Sequence, residues 1–207
     1  MTEIAQQVAH VLLNTQIIGF TPHAPITFKS GIVSPVYVDN RRLPYQPDAW
    51  HQIIAAFQQT IDAHLLDFDV IAGMEVAGIP HSAALAYAMH RPSVFVRKQP
   101  KDHGTKKRVE GGEVNGLRVL LIEDTVTTGG SSLSGVTALQ NEGAQVIACL
   151  AIFSYGFAQA ANAFAEAGVP LITLTSLEVV LESARQHHSL AADAIDAVAE
   201  WHRSLEG

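Results

Sequence analysis

Short apolar runs rich in β-branched residues alternate with helical patterns along most of this chain, and that alternation restricts its fold more than any other feature. Asp69–Ala72, Val94–Arg97, Arg118–Glu123, Gln145–Phe153 and Leu171–Leu174 read as strands. Ile79–Met89, Ser131–Gln140 and Ala158–Ala167 read as the helices between them. An earlier helix over Asp48–Leu66 puts Trp50, Ile53, Ile54, Phe57 and Ile61 on one face, and two last helices are expected over Leu177–Arg185 and Leu190–Trp201. Strands that are apolar throughout are covered on both faces, so the expected class is α/β, a parallel sheet flanked by helices. Ile4, Val8, Val11 and Leu12 add a first helix. From Thr21 to Pro47, five prolines and two β-rich pieces, Pro25–Phe28 and Val36–Asp39, predict a small strand-and-loop subregion. One domain over residues 1–207 is expected, with that N-terminal subregion largely 1–47, an α/β core about 48–185 and a C-terminal helix over 189–203.

Composition narrows the function classes. With 48% apolar and 16% charged residues, the chain is not a disordered one. Its single cysteine, Cys149, excludes an internal disulfide framework and a cysteine-based zinc site, and reads as an inert core residue. No basic segment followed by an apolar one opens the sequence, and no apolar run approaches the ~20 residues that span a bilayer, so a cytoplasmic protein without a membrane partner is expected. The net charge of −7 argues against nucleic acid as a partner. Yet six of the 13 Lys and Arg fall between Arg97 and Arg108, opposed there only by Asp102. That window carries +5 and the remainder −12. A basic loop flanked by Gly104, Gly111 and Gly112 suits a compact polyanion. His187-His188 point about 100° apart on a helix and read as solvated.

The strand Val119–Ile122 runs into Glu123-Asp124-Thr125-Val126-Thr127-Thr128-Gly129-Gly130-Ser131 and then a helix. Glycines allow a tight turn whose amides converge, and the helix adds its positive end, which together make a pocket for one phosphate. The hydroxyls of Thr125, Thr127, Thr128 and Ser131 can donate to the same oxygens. Glu123 and Asp124 suit sugar hydroxyls or a metal instead. No Gly-Lys-Ser/Thr follows, which excludes a Walker loop, and no G-x-G-x-x-G opens the helix.

This nonapeptide resembles the phosphoribosyl-diphosphate (PRPP) motif of the type I phosphoribosyltransferases. Phe28-Lys29-Ser30-Gly31 with Ser34-Pro35 and Tyr37, and Arg97-Lys98 with Lys101-Asp102-His103-Gly104, resemble segments of the orotate phosphoribosyltransferase family. Gly73–Pro80 falls where that family places its pyrophosphate-binding turn. The resemblance implies a type I phosphoribosyltransferase-like α/β fold with an N-terminal hood, and transfer of the 5-phosphoribosyl group from PRPP to orotate in pyrimidine synthesis. Purine bases as acceptors, or a PRPP-sensing regulator without catalysis, are the alternatives.

The roles it implies fall on named positions. PRPP would be bound by Lys29, Arg97, Lys98, Lys101, His103, Glu123, Asp124, Thr125, Val126, Thr127, Thr128, Gly129, Gly130 and Ser131. Lys101, His103 and Asp124 would be catalytic, and Thr127, Lys29 and Tyr37 would contact orotate. Mg2+ would arrive on PRPP, reached by Asp124 through water and by no direct protein ligand. A homodimer sharing its 99–112 loop between active sites is likewise implied. Where many family members carry Asp-Arg for the orotate carboxylate, this chain has Phe153-Ser154-Tyr155-Gly156. Lys106, Lys107 and Arg108 replace a stretch that is often glycine-rich, and read as solvated.

Overall fold

The computed structural model describes residues 2–21, 24–28, 30–100 and 107–205. In chain order its elements are α1 (Glu3–Asn14), β1 (Ile18–Phe20), β2 (Ile26–Thr27), β3 (Val33–Ser34), β4 (Val36–Val38), a 3-10 turn Asn40–Tyr45, α2 (Pro47–Ala63), β5 (Val70–Met74), α3 (Gly78–Ala88), β6 (Ser93–Val96) and β7 (Val109–Glu110). Then come β8 (Arg118–Val126), α4 (Gly130–Asn141), β9 (Gln145–Ser154), α5 (Ala158–Glu166), β10 (Leu171–Ser176), α6 (Leu177–Gln186) and α7 (Ala192–Ser204). Local chemistry sets several boundaries. The Thr2 hydroxyl caps α1 by accepting from the Ala5 amide at 3.2 Å. Pro47 opens α2, where its missing N–H costs nothing.

The main sheet has the order β10-β9-β8-β5-β6-β7, parallel except for β7, which runs back antiparallel along β6 at the edge. Side-chain alternation divides the molecule into two cores. Ile71, Leu120, Ile122, Leu150 and Ile152 meet α1, α2, α3, α6 and α7 on one face. On the other, Val70, Leu121, Cys149 and Ala151 meet α4 and α5. Both faces are therefore covered by helices, as the uninterrupted apolar strands predict. Each fully buried large side chain, such as Phe57 or Phe153, contributes about 1.5–3 kcal/mol relative to exposure.

Three departures from the sequence reading concern the site. β8 continues past Glu123 to Val126, because Thr125 and Val126 pair with Phe153 and Ser154 of β9. The basic segment is anchored by an edge hairpin: β6 and β7 pair, and the Arg97 amide donates to the Arg108 carbonyl at 2.9 Å. Arg108 is not a solvated cation. Its Nε donates to the Arg97 carbonyl at 2.7 Å and its Nη1 to the Ser134 carbonyl and hydroxyl at 3.0 and 2.9 Å. Lys107 is exposed and pairs with Glu113 at 3.3 Å, while Lys106 lies outside the described residues.

From β5 the chain turns to β6 on one side, while β8 lies on the other. Such a reversal opens a crevice beyond the carboxyl ends of the strands. Above it lie β1 paired with β4 and β2 paired with β3, both antiparallel. Of the segment 1–47 expected to form a hood, α1 packs instead against α6 and β10 of the main body.

Candidate active site

The last residues of β8 and the start of α4 surround a cavity of about 300 Å³ lined by Phe28, Ser30 and the run Thr125–Ser132. Gly129 has φ +83°, and a Cβ there would also press on the Phe164 ring at 3.2 Å, so the turn needs glycine at this point. No side chain caps α4. Its first-turn amides are thus free to meet an anion. Val126 is buried and packs into the core on the α4 face of the sheet while also lining the cavity.

Behind this cavity lie the two acids. Glu123 is buried, with Oε2 accepting from the Ser132 hydroxyl and Oε1 from the Asp124 amide, both at 3.1 Å. Burial, and then the neighbouring Asp124 charge, raise its pKa well above the usual carboxylate range. Burial raises Asp124 as well. Asp124 keeps its carboxylate toward Thr125, whose hydroxyl donates to Oδ2 at 3.4 Å. The turn after β5 packs closely against this end of β8: a Cβ at Gly78 would lie 2.5 Å from the Ile122 carbonyl. Glu75 in that turn accepts from the Lys98 amide at 2.7 Å and so joins Gly73–Pro80 to the end of β6.

A second cavity of about 300 Å³ is lined by Ile26, Thr27, Phe28, Tyr37, Val38, Thr125, Thr127 and Tyr155. Phe28, Thr125 and Thr127 belong to both walls, so the cavities adjoin. One is framed by phosphate-type donors and the other mainly by apolar and aromatic groups. Tyr155 lies within the Phe153–Gly156 run. Its buried hydroxyl donates to the Val36 carbonyl at 3.2 Å, and burial raises its pKa. Its ring stacks on Phe157 with the planes 7° apart. The helix α7 closes this corner, with Trp201 Nε1 donating to the Val33 carbonyl at 2.7 Å and His202 Nε2 lying 2.6 Å from the Tyr155 carbonyl.

The structure thus brings together Thr125, Val126, Thr127, Thr128, Gly129, Gly130 and Ser131 around one cavity, with Glu123 and Asp124 behind it and Tyr37 beside it. Arg97 is half-buried and its Nη1 pairs with Glu110 at 3.1 Å, at the base of the hairpin. The Lys98 side chain is exposed. Lys29, Lys101 and His103 lie outside the described residues, although Phe28 and Ser30, the neighbours of Lys29, line the cavities. Sequence reasoning missed Asn40, Arg41, Ser132 and Tyr155. Arg41 donates from Nη2 to the Tyr37 hydroxyl at 2.7 Å and from Nε to Asp39 at 2.5 Å, so its guanidinium holds a residue of the second cavity's wall. The run Asp39-Asn40-Arg41, one residue beyond Tyr37, was the available signal.

Residues 45–165 match the model of the phosphoribosyl transferase domain. The chain is 39% identical over 193 residues to an orotate phosphoribosyltransferase of Streptococcus agalactiae, covering 93% of this chain and 92% of that one. It is 37% identical over 203 residues to the Lactococcus lactis enzyme of the same name, covering 98% and 97%. The crystal structure of orotate phosphoribosyltransferase from Aeropyrum pernix superposes with a TM-score of 0.77 at 28% identity, over 86% of this chain and 98% of that one.

Proposed function

Because this chain belongs to the orotate phosphoribosyltransferase family, we propose that its two adjoining cavities hold PRPP and orotate and carry the phosphoribosyl group from one to the other. The observation that carries this is the shared wall: Thr125 and Thr127 line both cavities, so a 5-phosphate and a planar base sit on either side of one turn. The reaction is a pentosyl transfer of pyrimidine synthesis. The bond from ribose C1 to the diphosphate oxygen breaks, the electron pair leaves with pyrophosphate, and orotate N1 bonds to C1 after losing its proton. The product is orotidine 5-monophosphate.

Each group has work suited to its chemistry. The amides of Thr128 to Ser131 and the hydroxyls of Thr125, Thr127, Thr128 and Ser131 bind the 5-phosphate. Asp124 and Glu123 accept from the ribose hydroxyls. Burial favours the neutral form of Glu123, so Asp124 is the acid of the pair assigned to a positive C1 in the transition state. Lys101 and His103, with Lys98 and Arg97, are assigned the leaving diphosphate on the strength of their motif. Thr127, Tyr37 and Lys29 are assigned orotate. Glu123 is already engaged by Ser132 and the Asp124 amide, which leaves Asp124 as the hard oxygen donor able to meet a substrate-borne Mg2+ through water. When bound, that ion neutralises the diphosphate charge.

A homodimer with shared sites and a cytoplasmic location belong to the same reading. Among the described residues, no helix is long and apolar enough to cross a membrane. The test follows orotate absorbance with PRPP and Mg2+, with adenine, xanthine and uracil as parallel acceptors. Loss of the orotate signal only when PRPP and metal are both present is expected. Turnover of another base in place of orotate would overturn the assignment.

A further inference from the structure

Asn40 is fully buried, yet it belongs to the 3-10 turn just after β4, far in sequence from the phosphate loop. Its side-chain Nδ2 donates twice across that gap, to the Asp124 carbonyl at 2.9 Å and to the Thr125 hydroxyl oxygen at 3.0 Å. Those are the two residues at which the acid pair passes into the phosphate-binding run. The His81 ring lies near the Asn40 backbone, and His81 Nδ1 accepts from Trp50 Nε1 at 3.0 Å. Trp50 of α2 and His81 of α3 thus sit behind the turn after the base-site strand β4, and the Asn40 side chain carries the hydrogen bonds from that turn to the end of β8.

Resting on the transferase reading above, we propose that Asn40 is a positioning residue of this enzyme, one that fixes the Asp124–Thr125 peptide and the Thr125 hydroxyl for PRPP and ties them to the Tyr37–Val38 wall of the base cavity. The physical grounds are specific. A donor shared by a carbonyl and a hydroxyl fixes the peptide plane and leaves the hydroxyl proton to point away from Asn40, toward Asp124 or the phosphate. Because β4 and β8 are not neighbours in any sheet, no ladder holds them in mutual register, and this side chain does. Two substrates that must approach within bonding distance are aligned best when one clamp holds both of their walls.

Asn40→Asp tests this with nearly the same volume, since it replaces the amide donor by an oxygen facing the Asp124 carbonyl. We expect PRPP affinity in the presence of Mg2+, read by calorimetry, to weaken about tenfold or more, and kcat to fall by a similar or larger factor, the size expected when a buried pair of hydrogen bonds is broken. The KM for orotate should change less than either. Asn40→Ala should act in the same direction with a smaller loss, and it decides the matter if the aspartate variant does not fold. On a Thr125→Val background the effect of Asn40→Asp should shrink, because part of what it acts through is already gone. Native PRPP affinity and kcat in both variants would overturn the proposal. So would full additivity with Thr125→Val, or a loss that only matches a smaller folded fraction. A wild-type protein that binds PRPP but leaves orotate unchanged would instead overturn the functional reading and leave the calorimetric comparison standing.

Discussion

His81 has no exposed surface, and its position dictates its protonation. Nδ1 accepts from Trp50, so the neutral ring carries its proton on Nε2, a buried atom that does not complete a hydrogen bond. Burial lowers its pKa from 6.5 to about 4. The unfolded chain takes up this proton near pH 6.5 and the folded chain only near pH 4. Between those values the unfolded state binds more protons, so stability is lost as pH falls. The loss reaches about 3 kcal/mol at the lower end. His81→Gln keeps an acceptor for Trp50 and does not titrate. Urea denaturation from pH 7 to pH 4 should show the stability gap between wild type and His81→Gln narrowing by about that amount. A gap independent of pH would show that His81 does not carry this proton.

The edge hairpin illustrates what elements owe to distant partners. Glu142, at the end of α4, accepts from the amides of Arg108 and Val109 at 3.1 and 3.0 Å, and Arg108 reaches back to Ser134 in the same helix. The returning arm of the basic segment is thereby pinned to the helix whose other end forms the phosphate cavity. Removing the acceptor with Glu142→Ala strands two amides, and should cost about 1–3 kcal/mol in chemical denaturation. Hydrogen exchange at Arg108 and Val109 should accelerate with it, and unchanged exchange there would contradict the pinning. None of this is visible in a sequence window, because the acceptor, Glu142, is 33 and 34 positions from the two amides it holds. The same reason explains β1, a three-residue strand that exists only through its pairing with β4 up to 20 positions away. By contrast, β5, β8 and β9 were legible because their apolar runs have one physical solution, burial on both faces. The hydroxyl-rich Thr125 reads as loop, yet pairing with Phe153 makes it strand. At the site, Glu123 to Ser131 were legible as one contiguous run of converging donors and acids. Asn40 and Tyr155 were not, since each acts on a partner 84 or 119 residues distant.

On the scale of the whole molecule, the proposed sharing of the 99–112 loop makes a prediction about mixtures. Lys101→Ala should lower kcat by about 10²-fold or more, and Asp124→Ala should also inactivate, each through the loss of one charge in the transition state. Mixed and allowed to exchange subunits, the two inactive chains should regain part of the activity, since some sites then combine an intact loop with an intact Asp124. No recovery after exchange has been verified by mass would exclude shared sites. The first helix has a further consequence. Val8, Ala9, Val11 and Leu12 of α1 are buried, against β10 and α6 among other elements, and the Ala5 carbonyl accepts from the Thr175 hydroxyl at 2.9 Å. A ribosome makes α1 well before β10 and α6. Until those two emerge, the nascent chain must carry an amphipathic helix with its apolar stripe only partly matched, so chaperone capture should centre on α1 and release should await β10 and α6.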